Sequence, residues 1–282
     1  MVNKIKIGDK IIGDNKTFII AEAGLNHNGD IEIGKKLISK AKESGADAIK
    51  FQTYITEKRV VKDSPIFDIL KKCELTNDQT KVLFDFAKEE GIIFFSTPFD
   101  IESAEFLIDL NVSLIKLASF HVTHHKLIEK VAKSKIPIIM SRGMTNEKEL
   151  DAAVKIIEKY DCPYALLHCV SSYPLKDEDA NLMAINAMKE IYDCPIGYSD
   201  HTQNVKVPSM AVAVGASIIE KHFTHDENYE CPDGIISANP IDLKKLVDEI
   251  RYVEKILGTK KIELLNCEKG TLQYRKISGI DE

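Results

Sequence analysis

The chain has 282 residues, 44% hydrophobic and 29% charged, enough apolar material for a sizeable core in one soluble unit. Its 38 basic against 44 acidic side chains leave a formal net charge of −6, so nothing global draws it to nucleic acid or an anionic membrane surface, and an anionic ligand must be held by local basic groups. No apolar run approaches the roughly 20 residues of a membrane span, the N-terminus has no signal-peptide core, and six scattered cysteines without a CxxC pair argue for reduced thiols in a cytoplasmic protein.

Taken in chain order, the opening "KIKIGDKIIG" reads as a small hairpin turning at Gly8-Asp9. "TFIIAEAG" is a continuous apolar run suited to a strand buried on both faces. Asp30 then caps a helix whose apolar face is Ile33, Leu37, Ile38 and Ala41, closed by Gly45. "DAIKFQ" is the second strand. Thr76 and Gln79 form a capping box for a helix that stops at Gly91. "IIFFS", "SLIKLA", "IPIIMS", "YALLHC", "CPIGYS" and "ASIIEKH" follow as strands three to eight, with helical patterns between them; the eighth helix starts near Pro240 and ends at Gly258.

Eight strands alternating with helices imply an α/β fold, a (β/α)8 TIM barrel with a short N-terminal β-hairpin. An open doubly wound sheet is the alternative, but "AEAGLNHNG" after the first strand is not the GxGxxG of such folds. The expected organisation is one catalytic domain over residues 1–258 and a charged tail or linker over 259–282.

Barrel chemistry sits where strands end and βα loops begin. Those ends supply Glu22; Lys50 and Gln52; Ser96 and Thr97; Lys116 and Ser119; Ser141 and Arg142; His168, Ser171 and Tyr173; Ser199, Asp200 and His201; and Lys221 and His222. Lysines inside the apolar runs "AIKFQ" and "LIKLA" require anionic partners, and hydroxyls on the same rim add donors for phosphate oxygens. The set fits a small phosphorylated, carboxylated ligand; structural ion pairs are the competing explanation. His201 and His222 end adjacent strands and could share one ion with positions left for water and substrate, or be two satisfied loop histidines. His121, His124 and His125 read as a solvated helix start, His225 as part of a polar loop, His27 as an ordering residue beside Glu22, and Cys169 as core.

These residues carry a resemblance. "FIIAEAGLNHNGD", "ADAIKFQTY", "FFSTPFD", "IKLAS", "LHCVSSYPL", "IGYSDHT", "EKHFT" and "CPDG", in this order over nearly the whole chain, resemble the sialic acid synthase family, the N-acetylneuraminate and related nonulosonate synthases. The resemblance implies a metal-dependent transferase that condenses phosphoenolpyruvate with an N-acylated amino sugar, N-acetylmannosamine or a diacetamido-trideoxyhexose, on a (β/α)8 barrel. It places Glu22 as the catalytic carboxylate, His201 and His222 as ligands of a divalent metal, usually Mn2+ with Mg2+ or Co2+ as alternatives, and Lys50, Thr97, Lys116, Ser119, Ser141 and Ser199 on the phosphate and carboxylate of phosphoenolpyruvate. Gln52, Tyr173 and Asp233 fall where the family meets the acceptor sugar.

Three positions depart from the family pattern. Ser171 stands where Asn is usual and shortens one phosphoenolpyruvate contact; Arg142 stands where Thr is usual and adds a cation expected near the anion site; and Gly234 replaces a histidine near the sugar. Arg142 keeps open a related aldulosonate-phosphate synthase that takes a phosphorylated aldose, and a catalytically silent barrel with a binding or assembly role is the non-enzyme alternative. The resemblance covers the barrel only: the chain stops after "EKGTLQYRKIS", where the linker to the family's small C-terminal antifreeze-like domain would begin, and a homodimer, which that domain bridges in the family, is an expectation for the barrel as well.

Overall fold

The computed structural model describes residues 4–275. Strands β1 (Ile5–Ile7) and β2 (Lys10–Ile12) pair antiparallel around Gly8-Asp9 as the hairpin read from sequence. Eight further strands follow: β3 (Phe18–Gly24), β4 (Ala48–Thr53), β5 (Ile93–Pro98), β6 (Ile115–Leu117), β7 (Ile138–Arg142), β8 (Tyr164–His168), β9 (Ile196–Asp200) and β10 (Ile218–His222). All eight pair parallel in chain order, and β10 closes onto β3 to complete a barrel. The (β/α)8 expectation holds.

The connecting helices start and stop where their local chemistry dictates. Asp30 accepts from the backbone N–H groups of Glu32 and Ile33 to open α1 (Ile31–Glu43). Helices α2 (Thr56–Arg59) and α3 (Phe67–Cys73) form a segment after β4 that the periodicity did not resolve, because each is too short to display a 3.6-residue stripe. The Thr76–Gln79 capping box opens α4 (Asn77–Glu90), and Gly91, at φ 68°, stops it. Helices α5 (Ile101–Asp109), α6 (His125–Lys133), α7 (Glu147–Glu158), α8 (Ala184–Ile191) and α9 (Lys206–Ala213) lead to α10 (Pro240–Leu257), whose N-cap Asn239 precedes proline. Residues 259–275 run exposed along the surface; the remainder of the expected tail, 276–282, lies outside the described residues.

Strand alternation divides the buried residues into two layers. Outward-facing Ile19, Ile49, Ile115, Met140 and Leu166 pack against the helices, while Phe18, Ile20, Phe95, Ile139, Leu167 and Ile218 fill the lower barrel together with Ile5, Ile7 and Ile12 of the hairpin. The hairpin is therefore the floor of the barrel. Gly197 belongs to this packing: a Cβ there would lie 2.5 Å from the Ile218 carbonyl oxygen and 2.6 Å from Leu167 Cδ2, so no larger residue fits. With the floor filled by hydrocarbon, polar side chains that point inward are confined to the carboxyl ends of the strands.

Candidate active site

One residue further along each strand's inward face, the lining changes from hydrocarbon to charge. Ile20 is followed by Glu22, Ala48 by Lys50 and Gln52, Phe95 by Thr97, Leu114 by Lys116, Ile139 by Ser141, Gly197 by Ser199 and His201, and Ile218 by Glu220 and His222. This period-two succession is the geometry of a strand. Together these side chains line a cavity of about 390 Å3, inside the size range of small-molecule sites. Of the residues that the resemblance placed on metal or substrate, all line it except Ser171, whose Oγ sits 3.1 Å from that of Ser119; Ser96, Arg142, His168, Asp200 and Lys221, also counted with the rim, do not line it. A larger cavity of about 950 Å3 lies at the amino ends of the strands, walled by Gly13, Pro195, Ser217 and Leu257. It is the wrong end of a barrel for chemistry and gathers no comparable set of converging groups.

The buried lysines have carboxylate partners, and one of those partners was missed from sequence. Lys50 Nζ is 3.2 Å from Glu22 Oε2 and 3.3 Å from Glu220 Oε2. Lys116 Nζ donates to Ser141 Oγ at 2.6 Å and lies 3.7 Å from Glu220 Oε1, which also accepts from Ser199 Oγ at 2.9 Å. Glu220 thus ties both lysines into one cluster. Strand periodicity could have found it, since it lies two residues before His222 on the same face. The neighbouring Lys221, counted with the rim from sequence, points the other way and pairs with Asp200 at 2.8 Å, outside the barrel.

Burial and charge divide the two carboxylates. Glu220 is opposed by burial but faces two lysines and a hydroxyl donor, and its carboxyl is held well below the usual range. Glu22 is pushed up, chiefly by burial; Lys50 counters this and the neighbouring Glu220 adds to it. The two carboxyls therefore differ in proton affinity: Glu220 is held as a fixed charge, and Glu22 takes up a proton more readily. Glu22 Oε1 accepts from Gln52 Nε2 at 3.2 Å, while Glu22 Oε2 and Glu220 Oε2 face the Lys50 ammonium as ion-pair partners.

The lysines also differ. For Lys50, burial is outweighed by its two carboxylates, and the ammonium is held above its ordinary value. Lys116, with one more distant carboxylate, is depressed by burial to about 8. Between about 8 and the unfolded value of 10.5 the unfolded chain keeps a proton on Lys116 that the folded protein releases, so the stability contribution of this group rises with pH across that window. The protonated form, the one able to grip an anion, is lost over the same range. An anion bound through Lys116 is therefore expected to weaken by up to roughly tenfold per unit above pH 8; titration calorimetry of phosphoenolpyruvate between about pH 7 and 9.5 checks this, and a flat profile would remove Lys116 from the anion site.

At the rim, the rings of His201 and His222 lie 5.7 Å apart between centroids. His201 Nδ1 is 2.8 Å from the Val170 carbonyl, which can only accept, so Nδ1 carries the proton and Nε2 keeps its lone pair. Burial, and then His222, lower the His201 affinity for a second proton to about 3. His222 Nδ1 has no hydrogen-bond partner among the described residues; Asp233 Oδ2 is 3.5 Å away, a long ion pair. Burial opposes charge on His222, but Asp233 and Glu22 outweigh it and hold the ring above its usual value. Gly24 makes room for this contact: at φ 52° it carries no Cβ, which would lie 2.5 Å from Asp233 Oδ2. His201 Nε2, and His222 Nδ1 once deprotonated, fit one divalent ion that would take its other ligands from water or substrate. Among the described residues no set of three or more His, Cys, Asp or Glu side chains forms a closed metal site.

Two expectations are corrected. Arg142 follows inward-facing Ser141 and so faces outward, lining a separate cavity with Leu150 of α7 and the residues that cap α7 and α8, Asn146 and Tyr192. It does not line the anion site, so it gives the aldulosonate-phosphate alternative no contact there. His121 is not solvated: it is buried with its ring 4.9 Å from Phe99, whereas His124 Nδ1 caps α6 by accepting from Leu127 N–H at 3.0 Å. Cys169 is buried as expected, but it also lines the cavity.

The NeuB family model matches residues 37–262. The chain belongs to the NeuB family. Among curated relatives, an uncharacterized protein of Methanocaldococcus jannaschii is 49% identical over 92% of this chain and 77% of its own length. The N,N'-diacetyllegionaminic acid synthase of Legionella pneumophila is 40% identical over 89% of this chain and 76% of the relative. The crystal structure of the N-acetylneuraminic acid synthetase of Leptospira borgpetersenii, in complex with citrate, is 41% identical, with a TM-score of 0.95 over 98% of this chain and 97% of that one.

Proposed function

We propose that this NeuB-family chain condenses phosphoenolpyruvate with an open-chain N-acylated amino sugar to give a sialic-acid-like nonulosonate and phosphate. The observation that carries the proposal is one cavity with two buried lysines and a row of hydroxyls at its base and two converging histidines at its rim. The relatives that make N,N'-diacetyllegionaminic and N-acetylneuraminic acids support the acceptor class.

In this reading Lys50, Lys116, Thr97, Ser119, Ser141 and Ser199 hold the phosphate and carboxylate, replacing part of the internal pairing with Glu22 and Glu220. Gln52, Tyr173 and Asp233 orient the sugar; Tyr173 packs its ring 4.3 Å from that of His201. His201 and His222 would hold the divalent ion, Mn2+ by resemblance, which when bound supplies Lewis-acid polarisation of a carbonyl. C3 of phosphoenolpyruvate bonds to the aldehyde carbon, whose oxygen takes up a proton to become a hydroxyl; water adds at C2, and the C2–O bond to phosphate breaks as the new C2 hydroxyl gives up its proton and becomes the ketone. Glu22 takes the proton from that water, the role its raised affinity suits. Pre-aligning both substrates on one rigid rim supplies much of the rate. The reaction is assigned to the cytoplasm, where phosphoenolpyruvate is made.

Phosphate release from phosphoenolpyruvate, assayed with N-acetylmannosamine, diacetamido-trideoxyhexoses and their available 6-phosphates, tests the proposal. Release with at least one acceptor, lost on chelation and restored by Mn2+, Mg2+ or Co2+, is the expected result. No release with any acceptor, together with no binding of phosphoenolpyruvate, would leave the silent barrel standing instead.

A further inference from the structure

The segment after β4 carries a cation that the reaction above does not use. Arg59 ends α2 and lines the mouth of the cavity. Its guanidinium carbon lies 3.5 Å from the centroid of the Phe99 ring and 4.6 Å from that of Tyr54, and Nη1 donates to Gln52 Oε1 at 2.9 Å. Among the described residues it has no ion pair; Asp233 and Glu22 are the acids whose charge reaches it. A cation desolvated without a carboxylate is costly unless its position does something.

What it does follows from the chemistry of an amide. A guanidinium offers donors only, so the atom of Gln52 that faces Arg59 has to be the carbonyl oxygen. The amide nitrogen is then turned the other way, where it donates to Glu22 Oε1 at 3.2 Å. Without Arg59 the terminal amide is free to rotate by half a turn, and such a flip would set its oxygen against the carboxyl of Glu22. We propose that Arg59 is a positioning residue: stacked on Phe99, it locks the amide of Gln52 so that this residue donates to Glu22 and presents one fixed face to the acceptor. This role rests on the synthase reading above. Lysine can donate to Gln52 but has no planar group to stack, so the guanidinium is not interchangeable there.

A double-mutant cycle tests the proposal. Arg59→Met keeps an apolar stem over Phe99 and is expected to lower kcat by about 10–100-fold, the usual size when an outer partner of a site residue is removed, with KM for phosphoenolpyruvate within about twofold of wild type. Arg59→Lys is expected to recover part of the loss. If Arg59 acts through Gln52, the double variant with Gln52→Ala is no slower than Gln52→Ala alone, within about twofold. Effects that multiply, or a loss confined to KM for phosphoenolpyruvate, overturn the role. So does a neutron crystal structure of Arg59→Met, which tells amide nitrogen from oxygen, with Gln52 Nε2 still on Glu22, and that readout needs no turnover. Failure of the wild-type protein to bind phosphoenolpyruvate would bring down the synthase reading instead, and the amide's orientation in Arg59→Met crystals would still decide whether Arg59 sets it.

Discussion

His222→Ala is expected to lower phosphate release by roughly a thousandfold, equivalent to about 4 kcal/mol of barrier and within the several kcal/mol that a Lewis acid supplies. The side chain stands at the cavity rim rather than in the apolar core, so its removal takes away a nitrogen ligand without opening a hydrocarbon void. Asp233, 3.5 Å away, then loses its ion-pair partner but keeps the Leu25 N–H and the charge of Arg59. Circular dichroism should be that of the wild type, while Mn2+ affinity, read by electron paramagnetic resonance, falls with turnover. Unchanged turnover would remove His222 from the metal site, and retained Mn2+ affinity with lost turnover would assign it a role on the substrate.

The second large effect belongs to Glu220. Glu220→Gln leaves Lys50 with one carboxylate and Lys116 with none within the range of an ion pair. Breaking a buried pair by removing one partner costs about 3–5 kcal/mol, because a charge stays behind in a medium that solvates it poorly. Denaturant titration of the ligand-free protein should register that loss. Phosphoenolpyruvate should then stabilise Glu220→Gln more than it stabilises the wild type, since its phosphate supplies the missing negative charge. Equal stabilisation of both proteins would mean that the anion does not replace Glu220 as the partner of these lysines.

The barrel was legible because each strand is a short apolar run bounded by capped helices, a pattern that local chemistry writes directly. The polar rim was legible as a list of candidates, but the list mixed the two faces of each strand. Arg142 and Lys221 were read with the rim although their inward neighbours, Ser141, Glu220 and His222, assign them to the outside. Glu220 was passed over because a glutamate in an apolar run attracts less notice than the histidine two residues on. Applying period two to every strand end, and keeping only residues in phase with a hydrophobic floor position, would have corrected all three. Arg59 is a different matter. Its place depends on two short helices and on rings from the residue after β4 and from the β5–α5 junction, and no sequence period connects those pieces.

The seam where β10 meets β3 carries a consequence for how the protein is made. His222 is in register with Glu22, and Phe223 N–H donates to the Glu22 carbonyl at 2.8 Å, so carboxyl, imidazole and Glu220 meet across the join between the first and last staves. These groups are 200 positions apart in the order of synthesis. A nascent chain that has left the ribosome as far as β9 already holds Lys50, Lys116 and Ser141, but it lacks the acid that neutralises both amines. Closing the ring and balancing its charge are then a single event, and a circular permutant with new termini at an exposed loop such as that before α7 would make the seam local and separate the two.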